Sequence, residues 1–243
     1  MTSLWIHEIV DQFWRDATGA PPGYPRDLRD AVAWALPVVP VELPGLSISA
    51  INRWLADRRS QLRLDIPDRS LRAGIVVYEA NGVLFIDQCD ADDEQRFSLA
   101  HEIAHYLIEY AVPRQRARSR LGDQIVPVLD GRRLASADER IGALLGGVTL
   151  GPLLHLMERT PDGHPTGSVV SAAERHADAL AFELLAPLAD VRAAIPEGAW
   201  WPEIQAALRV TFGLPVSAAG VYARMLAPEP PVGSLFRQLF TTV

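Results

Sequence analysis

The segment His101–His105 constrains this chain more than any other feature, because it reads His-Glu-Ile-Ala-His within a helical pattern. Histidines at positions i and i+4 of a helix project from one face, with Cβ atoms about 5–6 Å apart. Both imidazoles can then reach one metal ion at about 2.0–2.1 Å. Glu102 lies beside such an ion, where it can take a proton from a water molecule. The segment therefore predicts His101 and His105 as metal ligands and Glu102 as the general base.

The residues around this motif support a helix beside a small sheet. Residues 92–94 are acidic and suit a first helical turn, and apolar residues then recur at helical spacing up to about Tyr110. Upstream, the apolar runs 74–78 and 83–86 predict two strands. They flank Asn81-Gly82, a strong signal for a hairpin turn. We therefore expect the motif helix to pack on a short hairpin.

A third metal ligand is expected, because a catalytic zinc uses three protein ligands and keeps one position open. Glu174 is the best candidate, since Asp178 follows it at i+4 on the same helix face. Glu174 would bind the metal, and Asp178 would accept the ring N–H of a liganding histidine and so fix its orientation. His176 would face away from Glu174. The histidines outside the motif are His7, His155, His164 and His176.

The remaining sequence predicts one large domain that is mainly helical. The pattern is least regular in residues 111–170, which we interpret as an insertion in a domain covering 1–226, followed by a tail at 227–243. Within the insertion, 126–129 resembles a strand and 135–159 resembles a helix broken by glycines and a proline. Outside it, further helices are predicted over 4–14, 27–36, 47–60, 171–185, 203–210 and 217–226, and a strand over 38–43.

Composition excludes several classes of protein. A net charge of −7 provides no overall basic field, so direct nucleic-acid binding is not expected. The single cysteine, Cys89, allows neither an internal disulfide nor a thiolate metal cluster. The first residues do not form a signal-peptide pattern, and the longest nearly apolar stretch, 141–154, is too short to span a membrane. We therefore expect a cytoplasmic protein without membrane association.

Two segments together resemble the ImmA/IrrE family of metallo-endopeptidases. Residues 96–100 read Arg-Phe-Ser-Leu-Ala and run into the His-Glu-x-x-His motif, and 174–187 carry Glu-x-x-Ala-Asp-x-x-Ala-Phe-Glu-Leu-Leu-Ala-Pro. The resemblance extends over roughly 25–110 and 170–226. It implies a compact α+β, zincin-like (gluzincin) fold, mainly helical with a small sheet beside the active-site helix. Asp178 stands where the family usually has asparagine.

The resemblance also implies a function. It points to a zinc-dependent endopeptidase that hydrolyses a peptide bond in a protein, specifically a helix-turn-helix transcriptional repressor, as part of a stress response. Zinc is the expected cofactor, although manganese and other divalent metals also accept histidine and carboxylate ligands. Tyr222 and Arg224, in the last predicted helix, are candidates for stabilising the oxyanion.

Two other functions remain in competition with this one. Residues 46–55 faintly resemble the second helix of a helix-turn-helix, which would indicate a DNA-binding regulator. The preceding residues 38–45, however, read as a strand and a proline turn rather than as a helix. A catalytically idle zinc-binding interaction module is the other alternative. Glu102 argues against it, because metal binding alone needs no base at that position.

Overall fold

A computed structural model describes residues 4–17, 19–148, 150–159 and 168–227. In these residues the chain forms α-helices, four β-strands, a π-helical turn at Tyr106–Ala111 and a 3-10 turn at Asp123–Ile125. The strands are β1 (Val38–Leu43), β2 (Leu71–Tyr78), β3 (Asn81–Asp87) and β4 (Leu153–Glu158). The helices are α1 (Leu4–Asp16), α2 (Arg29–Ala35), α3 (Ile48–Asp57), α4 (Asp92–His105), α5 (Val112–Leu121), α6 (Val126–Leu129), α7 (Ala137–Gly146), α8 (Ser168–Leu185), α9 (Leu188–Ala194), α10 (Trp201–Val210) and α11 (Val216–Leu226).

The four strands form one mixed sheet in the order β1-β3-β2-β4. Strand β1 is parallel to β3, whereas β2 is antiparallel to both β3 and β4. The two edges of this sheet are therefore β1 and β4. The register pairs Ile75 in β2 with His155 in β4, which brings a histidine to one edge of the sheet.

Helices cover both faces of the sheet, so its central strands are apolar on both sides. On one face, α4 packs on β2 and β3 and also packs against α8. The buried side chains of this layer are Ile75, Val77, Leu84, Ile86, Leu99, Ile103, Leu180 and Leu184. On the other face, Ile51 and Leu55 of α3 pack with Val76 and Phe85. The predicted α+β class, with a small sheet beside the motif helix, is confirmed.

The hairpin between β2 and β3 turns two residues earlier than predicted. Tyr78 pairs with Asn81, and the turn residues Glu79 and Ala80 have φ angles of 48° and 67°. Asn81 and Gly82 already belong to β3, so the predicted Asn-Gly turn was wrong. Gly82 is needed for close strand packing instead, because a Cβ there would lie 2.9 Å from Cγ2 of Val38 in β1.

Helix α3 is a sheet-packing helix and not part of a helix-turn-helix. It follows strand β1, and Ser47 caps its first turn by accepting a hydrogen bond from the backbone N–H of Ala50 at 3.2 Å. Its apolar face is buried against the sheet. The sequence feature that suggested a DNA-binding regulator is therefore explained by packing.

The segment 111–170 contains two elements that differ from their predictions. Residues 126–129 form helix α6, because Pro127 suits a first helical turn and Val128 and Leu129 pack in a small apolar cluster with Ile125. Residues 153–158 form strand β4, because they complete the main sheet beside β2. The limits of the predicted insertion and domain stay predictions. Residues 160–167 and most of the predicted tail, 228–243, lie outside the described residues.

In the parts of the chain that the structure describes, none of the helices combines the length and the apolar character needed to span a bilayer.

Candidate metal centre

The two motif histidines lie on the buried side of α4. His101 and His105 have side-chain exposures of 5% and 1%, and their Nε2 atoms are 3.1 Å apart. All residues of α4 from Ser98 to His105 are buried, because the helix packs on the sheet and also against α8. A π-helical turn follows His105 directly. Such turns are uncommon and occur frequently at functional sites.

Helix α8 brings both predicted carboxylates to His101. Oε2 of Glu174 lies 3.2 Å from Nε2 of His101, and Oδ1 of Asp178 lies 3.1 Å from Nδ1 of the same ring. Glu174 is also 3.6 Å from Nε2 of His105. The i, i+4 spacing thus places Glu174 beside the Nε2 atoms of the two histidines, and it places Asp178 beside Nδ1, the outer nitrogen of His101. The structure brings the predicted residues together, and their roles stay predictions.

His155 joins this cluster from strand β4, which the sequence analysis did not anticipate. Its Nε2 lies 3.2 Å from Oε1 of Glu174, and its ring stacks on His105 with centroids 3.5 Å apart. Its Nδ1 lies 3.0 and 3.1 Å from the two oxygens of Glu102. One signal in the sequence could have indicated this strand. The apolar run around His155 is short and follows Pro152, and a run of that length suits a strand.

The three imidazoles share one arrangement: the Nε2 atom faces the cluster, and the Nδ1 atom faces a carboxylate. The outer pairs are His101 with Asp178, His105 with Glu109 at 2.8 Å, and His155 with Glu102. Carboxylates in this position fix the tautomer and orientation of metal-binding histidines. Glu109 was also missed by the sequence analysis, although its i+4 spacing from His105 is visible in the sequence.

The electrostatics of the cluster favour positive charge at its centre. Hydrogen bonds from His101, His105 and His155 hold the pKa of Glu174 well below its usual range. Burial alone would lower the pKa of His101, but hydrogen bonds with Asp178 and Glu174 outweigh it and raise that pKa to about 9. Burial is likewise outweighed at His155, where Glu102 and Glu174 raise the pKa to about 10.

A divalent metal ion fits these residues. Ligand atoms of His101, His105, His155 and Glu174 all lie within 4.8 Å of one another. The individual spacings of 3.1–3.6 Å suit two donors at tetrahedral angles around zinc, which are roughly 3.3 Å apart for bonds of about 2.0 Å. Three imidazoles and a carboxylate suit zinc, and they also accept manganese, iron or cobalt.

The two candidates for an oxyanion donor make contacts outside this cluster. Tyr222 stacks on Phe182, with ring centroids 4.4 Å apart, and its hydroxyl donates a hydrogen bond to the carbonyl of Ala186 at 3.2 Å. The guanidinium of Arg224 lies over the ring of Trp201. Both side chains thus have packing roles in this structure.

The fold and the cluster together define a class of protein. A buried helix with the His-Glu-x-x-His motif, a small sheet beside it and a carboxylate from a second helix are typical of metallopeptidases. Residues 62–125 match a family model described as Peptidase_M78, the IrrE N-terminal-like domain. This match covers β2, β3 and α4 and confirms the resemblance to the ImmA/IrrE family. His155 and Glu174 lie beyond the matched residues.

A comparison with curated proteins found no match. The family match and the cluster therefore carry the identification, and they indicate a metallopeptidase with a site for a divalent metal.

Proposed function

We propose that this protein is a zinc-dependent endopeptidase with Glu102 as its general base. His101, His105 and Glu174 would hold the metal, and Asp178 would orient His101. The observation that carries this proposal is the meeting of two helices: the motif histidines of α4 lie 3.2 and 3.6 Å from Glu174 of α8. Residues that are 69 or more positions apart in the sequence thus converge on one point.

The chain's own residues would divide the work of hydrolysis. A metal bound at this point would polarise the scissile carbonyl and make an attacking water more acidic. Glu102 would accept the proton of that water and pass it to the leaving amine. Its side chain is fully buried, which protects the base from bulk solvent. Asp178 and Glu109 would keep the two motif imidazoles in the orientation that binding requires.

We further propose that the substrate is a protein, specifically a helix-turn-helix transcriptional repressor cleaved in the cytoplasm under stress. The resemblance to the ImmA/IrrE family supports this choice. Charge supports it as well, because a repressor presents a basic DNA-binding face whereas this chain has a net charge of −7. Opposite charges of this kind speed encounter and make the rate depend on salt.

The test incubates the purified protein, supplied with zinc or manganese, with the repressor encoded next to its gene. Casein serves as a second substrate, and the Glu102→Gln variant serves as the inactive control. We expect one discrete cut in the repressor, with wild-type protein only. Digestion of casein with the repressor left whole would disprove the repressor as substrate. Cleavage of neither substrate would contradict the endopeptidase itself.

A further inference from the structure

We propose that His155 is a displaceable fourth ligand that keeps the metal centre closed in the resting protein. This inference rests on the proposed function, because it concerns the same site. It starts from the distances around Glu174: Nε2 of His155 and Nε2 of His101 both lie 3.2 Å from a carboxylate oxygen of Glu174. His155 therefore reaches the centre as closely as a histidine of the motif does.

Four protein donors close a zinc site. A catalytic zinc is held by three protein ligands with one position open, whereas structural zinc is held by four in a tetrahedron. Here His101, His105 and Glu174 supply three donors, and His155 supplies the fourth from a separate element of the fold. With all four donors bound to the metal, the position that substrate and water need would be filled by the protein.

The same side chain also engages the proposed base. The Nδ1 atom of His155 lies within hydrogen-bond distance of both oxygens of Glu102, at 3.0 and 3.1 Å. In the closed state Glu102 therefore orients the ligand His155, as Asp178 orients His101. It cannot accept a proton from water at the same time. One movement of the His155 side chain would open the fourth position and free the base together.

His155 is the imidazole best placed to leave. Its side chain is 18% exposed, compared with 5% for His101 and 1% for His105. It lies on the edge strand β4 rather than on the central helix α4. A substrate that enters beside this edge can reach His155 without disturbing either motif histidine.

The backbone of β4 is held at both ends, so His155 leaves by side-chain rotation. Before the strand, the N–H of Gly151 donates a hydrogen bond to the carbonyl of Leu129 at 3.1 Å. After it, the guanidinium of Arg159 binds Asp87 and Asp90 at 2.7 Å each. Detachment of the strand would break these contacts, whereas rotation about the side-chain bonds of His155 preserves them.

The test uses cobalt as a spectroscopic substitute for zinc and azide as a small anionic ligand. The proteins compared are wild type, His155→Ala and His155→Gln. His176→Ala is the matched control, because His176 is an exposed histidine on α8 that packs edge-on against Trp5. Circular dichroism of the metal-free proteins checks that each variant is folded.

We expect azide to change the visible spectrum of the cobalt-loaded His155 variants but not that of wild type or His176→Ala. Competition with a chelator should show that both His155 variants bind the metal at least about tenfold more weakly. Loss of a ligand should lower metal affinity at least as much as loss of the carboxylate that hydrogen-bonds to a ligand. An equal response to azide in wild type would overturn the proposal, as would an unchanged affinity in the His155 variants.

Cleavage measurements separate this inference from the proposed function. With saturating metal, His155→Ala should cleave casein faster than wild type does, because its centre is already open. If the spectra and affinities change as expected but no protein cleaves casein or the repressor, the closed centre stands and the endopeptidase proposal fails. If wild type cleaves and its spectrum responds to azide, the endopeptidase stands and the closed centre fails.

Discussion

Nδ1 of His105 lies 2.8 Å from Oε1 of Glu109, one turn further along the chain. The contact joins the last residue of α4 to the π-helical turn Tyr106–Ala111, which follows α4 directly. The hydrogen bond from His105 lowers the pKa of Glu109, so this carboxylate stays ionised and available as an acceptor. The cluster around the His-Glu-x-x-His motif therefore extends one turn beyond the second histidine.

Glu109→Gln should weaken metal binding by roughly 10 to 100-fold, as changes in the outer partners of metal ligands do. The substitution keeps the size of the side chain but removes the charge that orients His105. Chelator competition measures the effect. Glu8→Gln, at an exposed position on α1, is the control and should bind metal as wild type does. Equal affinity in the two variants would show that Glu109 does not support the metal ligand.

The two carboxylates of α8 should differ in their effect on metal binding. Glu174→Ala should release most of the metal, because it removes a donor that lies 3.2 Å from Nε2 of His101. Asp178→Asn should only lower the affinity, by roughly 10 to 100-fold, because Asp178 contacts the outer nitrogen of that ring. Metal content after gel filtration distinguishes them. Stoichiometric metal in Glu174→Ala would exclude Glu174 as a required ligand.

The sequence predicted those parts of the site that depend on local spacing. His101 with His105, and Glu174 with Asp178, are i, i+4 pairs on single helices, and helical periodicity is enough to place each pair on one face. The expectation that a catalytic zinc has three protein ligands then linked the two helices. The structure agrees with this pairing, since α8 lies against α4.

The parts that depend on pairing between distant strands were not predicted. His155 reaches the cluster only because β4 pairs with β2, and the apolar run of β4 was assigned to a broken helix. A short apolar run does not distinguish a strand from a helix by its periodicity. Similarly, Gly82 lies in β3 beside Val38 of β1 rather than in the hairpin turn, and local turn signals do not contain such a contact with another strand.

Asp87 should stabilise the frame that holds β4 next to α4. Its carboxylate accepts hydrogen bonds from the backbone N–H groups of Gly45 at 3.0 Å and Cys89 at 2.9 Å, and from Arg159 at 2.7 Å. Asp87→Asn should lower the free energy of unfolding at pH 7 by about 1–3 kcal/mol, because it weakens charged hydrogen bonds in a buried place. Urea unfolding of the metal-free protein measures this, with the exposed Asp65→Asn as control.

The effect of Asp87 should depend on pH in a defined direction. Burial would raise its pKa, but the hydrogen bonds outweigh burial and lower the pKa below its ordinary value. The resulting stabilisation is fully present above the unfolded pKa of about 3.9 and is lost as the pH falls through the folded pKa. The difference between wild type and Asp87→Asn should therefore shrink below about pH 4. A difference that grows on acidification would contradict this.

The role of Glu102 is tested most directly by measuring metal content and peptide-bond cleavage on the same preparations of wild type and Glu102→Gln. Glu102 is assigned as a base and not as a ligand, so with saturating metal both proteins should carry one equivalent of divalent metal. The rate of cleavage should fall in the variant on the order of 10²-fold or more. Loss of the metal in Glu102→Gln, or cleavage at the wild-type rate, would contradict the proposed metallopeptidase mechanism.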